Sequence, residues 1–108
     1  MPERRFFCDM SRLTAADRVR LHEIARQLAA ARPAVAELPS GYAFTFAGDR
    51  ATYLLVTEWL GYERLCCGFL EMQMTSTTDA GPIVVAFTGA DGAKEVVQEE
   101  FAAMLGRE

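Results

Sequence analysis

Residues 51–67 are the strongest constraint on what this chain can fold into. At the α-helical turn of about 100° per residue, Leu54, Leu55, Val56, Trp59, Leu60, Tyr62 and Leu65 cover almost the whole circumference. Only a narrow polar sliver remains, formed by Thr57 and Arg64. A helix that is apolar all round is either buried centrally or in contact with a partner. The other segments must therefore cover it on more than one side. With 108 residues in total, the chain is read as one domain spanning 1–108.

The flanking segments supply suitable covers. Arg5 to Met10 is a short apolar stretch read as a first strand. Thr14-Ala15-Ala16-Asp17 resembles a capping box with Asp in the place usually taken by Glu or Gln. The helix it opens is expected to reach about Ala31, because Pro33 biases Arg32 away from helical geometry. Leu21, Ile24, Ala25 and Leu28 form its packing face. After the Leu38-Pro39-Ser40-Gly41 turn, Tyr42, Phe44 and Phe46 alternate as one face of a strand. Asp49 is the expected N-cap of the apolar helix, which runs to about Cys67, with Gly68 as a left-handed exit. Phe69–Thr75 and Pro82–Thr88 read as a hairpin. A last helix, with Val96, Val97, Phe101 and Met104 buried, is expected through about Leu105. The result is an α+β fold of about four mostly antiparallel strands and three helices, in the order β-α-β-α-β-β-α.

Composition removes several classes of function. A net charge of −4 argues against general nucleic-acid binding. No apolar run approaches the ~20 residues of a membrane span. The first ten residues lack a secretory apolar stretch, so a cytoplasmic protein is expected. Three cysteines, an odd number, do not describe a disulfide scaffold in that setting.

Those cysteines carry the chemistry. Cys66 and Cys67 are adjacent, whereas structural zinc sites separate paired cysteines by two or more residues. Neighbouring helical side chains diverge by about 100°, so joint chelation requires the helix to unwind at its end. Vicinal thiols suit soft ions of the Hg, As or Cu class. Glu63 lies between them on the wheel, three and four residues away, beside Val56 and Trp59. A carboxylate held there is expected to have a raised pKa unless it reaches solvent or pairs with an arginine. Cys8 completes a three-thiolate pocket if its segment lies beside the end of the helix. The C-terminal end of a helix disfavours a bare thiolate, so the position fits metal capture better than redox catalysis. The plainer reading is that all three cysteines are small buried hydrophobes. His22, Met10, Met72 and Met74 are weaker ligand candidates, better explained by surface or core positions. Gly89-Ala90-Asp91-Gly92 resembles a phosphate-binding turn only loosely.

Several segments together resemble a family of small bacterial proteins with a Cys-Asp-Met start and a Glu-Arg-x-Cys-Cys-Pro-Phe core. They are Cys8-Asp9-Met10 with Leu13-Thr14, Leu38 to Phe44, Glu58-Trp59, Glu63 to Leu70, and Phe87 to Lys94. The resemblance spans nearly the whole chain, and its Cys-Cys segment is the most specific part. Here Gly68 stands where the family has proline. The resemblance implies a place among mercury- and heavy-metal-responsive genes, and it singles out Cys8, Glu63, Cys66 and Cys67.

The function expected from this is cytosolic binding of a soft metal or metalloid ion by Cys66, Cys67 and Cys8, with Glu63 as a neighbouring carboxylate or ligand. It would serve sequestration, delivery or sensing in metal resistance. One alternative is an enzyme that cleaves a carbon–metal bond, with Asp9 or Glu63 as the acid. Another is a homodimeric interaction module built on the apolar helix, with Trp59 and Tyr62 at the contact and the cysteines merely buried.

Overall fold

A computed structural model of the chain describes residues 6–106. The helix expected after Thr14 is α1, Ala15–Ala30, and the Thr14 hydroxyl accepts a hydrogen bond from the Asp17 N–H at 3.1 Å. It is followed by β1 (Ala34–Leu38), β2 (Gly41–Phe46), α2 (Arg50–Cys66), β3 (Glu71–Ser76), β4 (Ile83–Thr88), α3 (Ala93–Glu100) and α4 (Ala102–Leu105). Asp49 caps α2 as expected, accepting from the Thr52 N–H at 3.0 Å. The four strands form one antiparallel sheet in the order β1-β2-β4-β3. The fold is therefore α+β, with four strands and three helices of any length. The succession helix, strand, helix, strand, strand, helix expected beyond residue 13 is present, with β1 added between α1 and β2.

Strand membership differs at two places. Residues 6–9 have no regular structure, and Met10–Arg12 form a short 3₁₀ turn, where a strand from Arg5 to Met10 was expected; Arg5 itself lies outside the described residues. The reason is Asp9. Its carboxylate accepts from the Ser11 N–H at 3.0 Å, a local bond that competes with strand pairing. The fourth strand is instead β1. Its burial is low throughout, so it lacks the in–out alternation by which strands are found in sequence. The last helix also divides at Phe101, whose backbone (φ −111°, ψ 27°) leaves helical geometry between α3 and α4.

The centre of the sheet makes the core. Register places Tyr42 opposite Phe87, Phe44 opposite Val85 and Phe46 opposite Ile83, all on one face and all buried. Met72 and Met74 of β3 extend that face at half burial, opposite Phe87 and Val85, while Glu71 and Gln73 point away. Trp59 of α2 stands over this surface with no exposed area. Its ring meets Phe87, Phe101, Phe46 and Phe44 edge-on at centroid distances of 5.2, 5.6, 6.1 and 6.5 Å, the arrangement aromatic quadrupoles favour. The helix is not covered all round: Leu54 and Leu65 are 51% and 47% exposed, so its inward face is the row Val56, Trp59, Glu63 and Cys66. On its flank, Arg20 of α1 donates two hydrogen bonds to Glu58, each 2.9 Å.

Truncating the central ring tests this account. Trp59→Ala is expected to cost about 3–5 kcal/mol, against a fraction of that for exposed Leu54→Ala. Urea unfolding followed by far-UV circular dichroism measures both. Equal losses would contradict Trp59 as the centre of the core.

Candidate functional site

The site is built by the last turn of α2. Glu63, Cys66 and Cys67 stand three and four residues apart, so their side chains fall on one face. Helical geometry persists through Cys66 and fails at Cys67, which caps the helix with ψ 51° while its N–H still reaches the Glu63 carbonyl at 2.7 Å. This is the unwinding that adjacent thiols need to converge. The two Sγ atoms lie 3.8 Å apart, Cys66 Sγ is 3.8 Å from Glu63 Oε1, and Cys67 Sγ is 4.0 Å from Oε2. The ligand atoms of all three residues fall within 4.8 Å of one another, and all three residues are buried. Gly68 is not the left-handed exit. Among the described residues the glycines with positive φ are Gly92 and Gly106, and Cys67 itself makes the turn out of the helix.

Cys8 is brought to the same place, but not as a free thiol. It forms a disulfide with Cys67 (Cα–Cα 4.4 Å), leaving Cys66 as the free cysteine. This corrects the expectation that the cysteines form no disulfide, and it converts the three-thiolate pocket into a disulfide beside one thiol. The backbone reinforces the tether, since the Asp9 N–H donates to the Cys66 carbonyl at 2.7 Å. No spacing rule links residues 59 positions apart, which is why the pairing was not legible. The bond also serves the fold. Closing a loop of that length contributes about 4 kcal/mol by the chain-entropy argument.

The electrostatics follow from burial. Glu63 is the one buried charged-type residue among the described residues. Removal from water raises its pKa from 4.5 to about 8, and the nearby Glu100 charge pushes the same way against a smaller lowering by Cys66. Burial, with the Glu63 carboxylate next, pushes the Cys66 thiol up to about 12. Both shifts favour the neutral carboxylic acid and the neutral thiol over their charged forms. A bound cation reverses that preference, because coordination favours the deprotonated ligands.

The other candidates sit elsewhere or are engaged. The Asp9 carboxylate is held by Ser11, whose bonds lower its pKa. His22 and Met10 are exposed, and both line the rim of a cavity of about 510 Å³ that reaches Cys8, Glu63, Cys66 and Cys67. Trp59 lines the same cavity. Its indole N–H is the one buried side-chain nitrogen or oxygen donor without a hydrogen-bond partner among the described residues. Sequence reasoning did not single out this cavity, because its walls come from segments with no shared spacing. No helix among the described residues is long and apolar enough to cross a membrane. Comparison with protein-family models, curated proteins and solved structures gave no match to this chain.

Glu63 makes stability depend on pH in a definite direction. Its folded pKa lies above the unfolded value, so its contribution is fully present below pH 4.5 and is lost as pH rises to about 8. Within that window the unfolded chain releases the proton first, so stability falls as pH rises. Glu63→Gln is expected to remove this component. Denaturant midpoints across the window, native against variant, measure it; identical pH dependence would contradict a buried neutral Glu63.

Proposed function

We propose that the reduced chain binds a soft metal or metalloid ion through Cys66 and Cys67, with Glu63 at the same centre and Cys8 within reach. The observation that carries this reading is the convergence of two sulfur atoms and a carboxylate within 4.8 Å in a buried pocket. Sulfur ligands select thiophilic ions, here of the Hg, As or Cu class, and a cation offsets the cost of burying thiolates. The Cys8–Cys67 disulfide is then the oxidised, closed form. A thiol or phosphine reductant supplies two electrons to open it, releasing two thiols. The resemblance to proteins of heavy-metal-responsive genes supports sequestration, delivery or sensing as the task.

A second reading is favoured by the disulfide itself: Cys8–Cys67 fastens the N-terminal segment to the end of α2, and its role is structural. Native mass spectrometry of the reduced chain with Hg(II), As(III), Cu(I) and Zn(II) separates the two. One-to-one uptake of a soft ion is expected, lost in the Cys66→Ser, Cys67→Ser double variant and weakened in the oxidised chain. No uptake by the reduced chain, or uptake unchanged in the variant, would leave the structural reading standing.

A further inference from the structure

The site opens onto more room than a bare ion uses. The cavity beside Glu63, Cys66 and Cys67 has a volume of about 510 Å³, and Leu21, Ala25, Trp59 and Phe101 give it apolar walls. An apolar cavity of about 150 Å³ already accommodates a benzene ring. The sulfurs of Cys66 and of disulfide-bonded Cys67 both line this space, with Sγ atoms 3.8 Å apart. A trivalent arsenic atom bearing one organic group has two bonds left to make, whereas arsenite has three.

Resting on the soft-ion reading above, we propose that the preferred ligand is a trivalent organoarsenical, R–As(OH)₂, held by Cys66 and Cys67 with its organic group in this cavity. Binding breaks two As–O bonds and forms two As–S bonds. Each thiol proton leaves with a hydroxide as water, arsenic stays trivalent, and nothing is oxidised or reduced. Cys67 is first released from Cys8 by a thiol or phosphine reductant, which is oxidised by two electrons as both cysteines become thiols. Cys8 takes no bond to arsenic in this complex, and the organic group occupies the valence it would otherwise fill. The apolar walls select an aryl or larger alkyl group over a methyl group, because burial of apolar surface grows with the size of the group.

The full chain, kept reduced with a phosphine, is titrated with phenylarsonous acid, methylarsonous acid and arsenite. Fluorescence of Trp59, the only tryptophan, reports on the cavity, and native mass spectrometry reports stoichiometry. The phenyl compound is expected to bind about tenfold more tightly than the methyl compound. Ala25→Phe, which narrows the cavity, is expected to weaken the phenyl compound more than the methyl compound and so to shrink that preference. Cys8→Ser is expected to leave phenyl binding intact and to weaken arsenite, which loses its third sulfur. Equal affinity for phenyl and methyl in the native chain, or loss of phenyl binding in Cys8→Ser, would overturn the proposal. The first comparison needs no variant, so a poorly folded Ala25→Phe chain does not blunt the test. If arsenite still binds one-to-one in either of those cases, only the ligand assignment fails. If none of the three binds the reduced native chain, the soft-ion reading fails with it.

Discussion

The packing of Trp59 against the sheet decides how everything else is arranged. Its ring contacts residues of β2 and β4 and Phe101 at the joint of α3 and α4, so one side chain ties the helical layer to the strands. Once it faces inward, helical periodicity leaves no choice for its neighbours. Val56 lies three residues before it, Glu63 four after and Cys66 seven after, all on the same stripe and all buried. An acid is drawn into the interior because the aromatic residue one turn earlier has to be there. The carboxylate's raised pKa is thus a consequence of core packing as much as of any function.

The end of α2 adds a second constraint. A regular helix would point the Cys66 and Cys67 side chains apart, and a longer helix would have held them so. Because the helix ends at Cys66, Cys67 is free to turn its sulfur toward both its neighbour and Cys8. The same turn leaves the Cys66 carbonyl without a helical partner, and the Asp9 N–H takes it. The N-terminal segment is therefore doing at this end what a cap does elsewhere, by a backbone bond and a covalent one together.

Much of this could be read from the residues alone. Thr14 and Asp49 announced their helices because a short polar side chain at those positions satisfies an otherwise free N–H. The alternation in Tyr42–Phe46 and Met72–Met74 marked strands with one buried face. Glu63 between two thiols followed from spacing. Most of what escaped the reading shares one cause: a tertiary partner determined it. Exposed β1 is a strand only because β2 pairs with it. Residues 6–9 form no strand because Cys8 is held by Cys67 and Asp9 caps the 3₁₀ turn that follows. Phe101 breaks the last helix where it reaches the aromatic cluster. The disulfide joins positions that no local pattern relates.

The sheet has two edges, β1 and β3, and β1 is poorly built for extension. This strand is five residues long, from Ala34 to Leu38, with Pro33 immediately before it and Pro39 immediately after. Neither proline has an N–H to offer, so the ladder available to an incoming strand stops at both ends of an already short edge. Glu37 adds a charged side chain to the same five residues. A strand from another molecule finds little to pair with there, and sheet growth from copy to copy is discouraged at this edge.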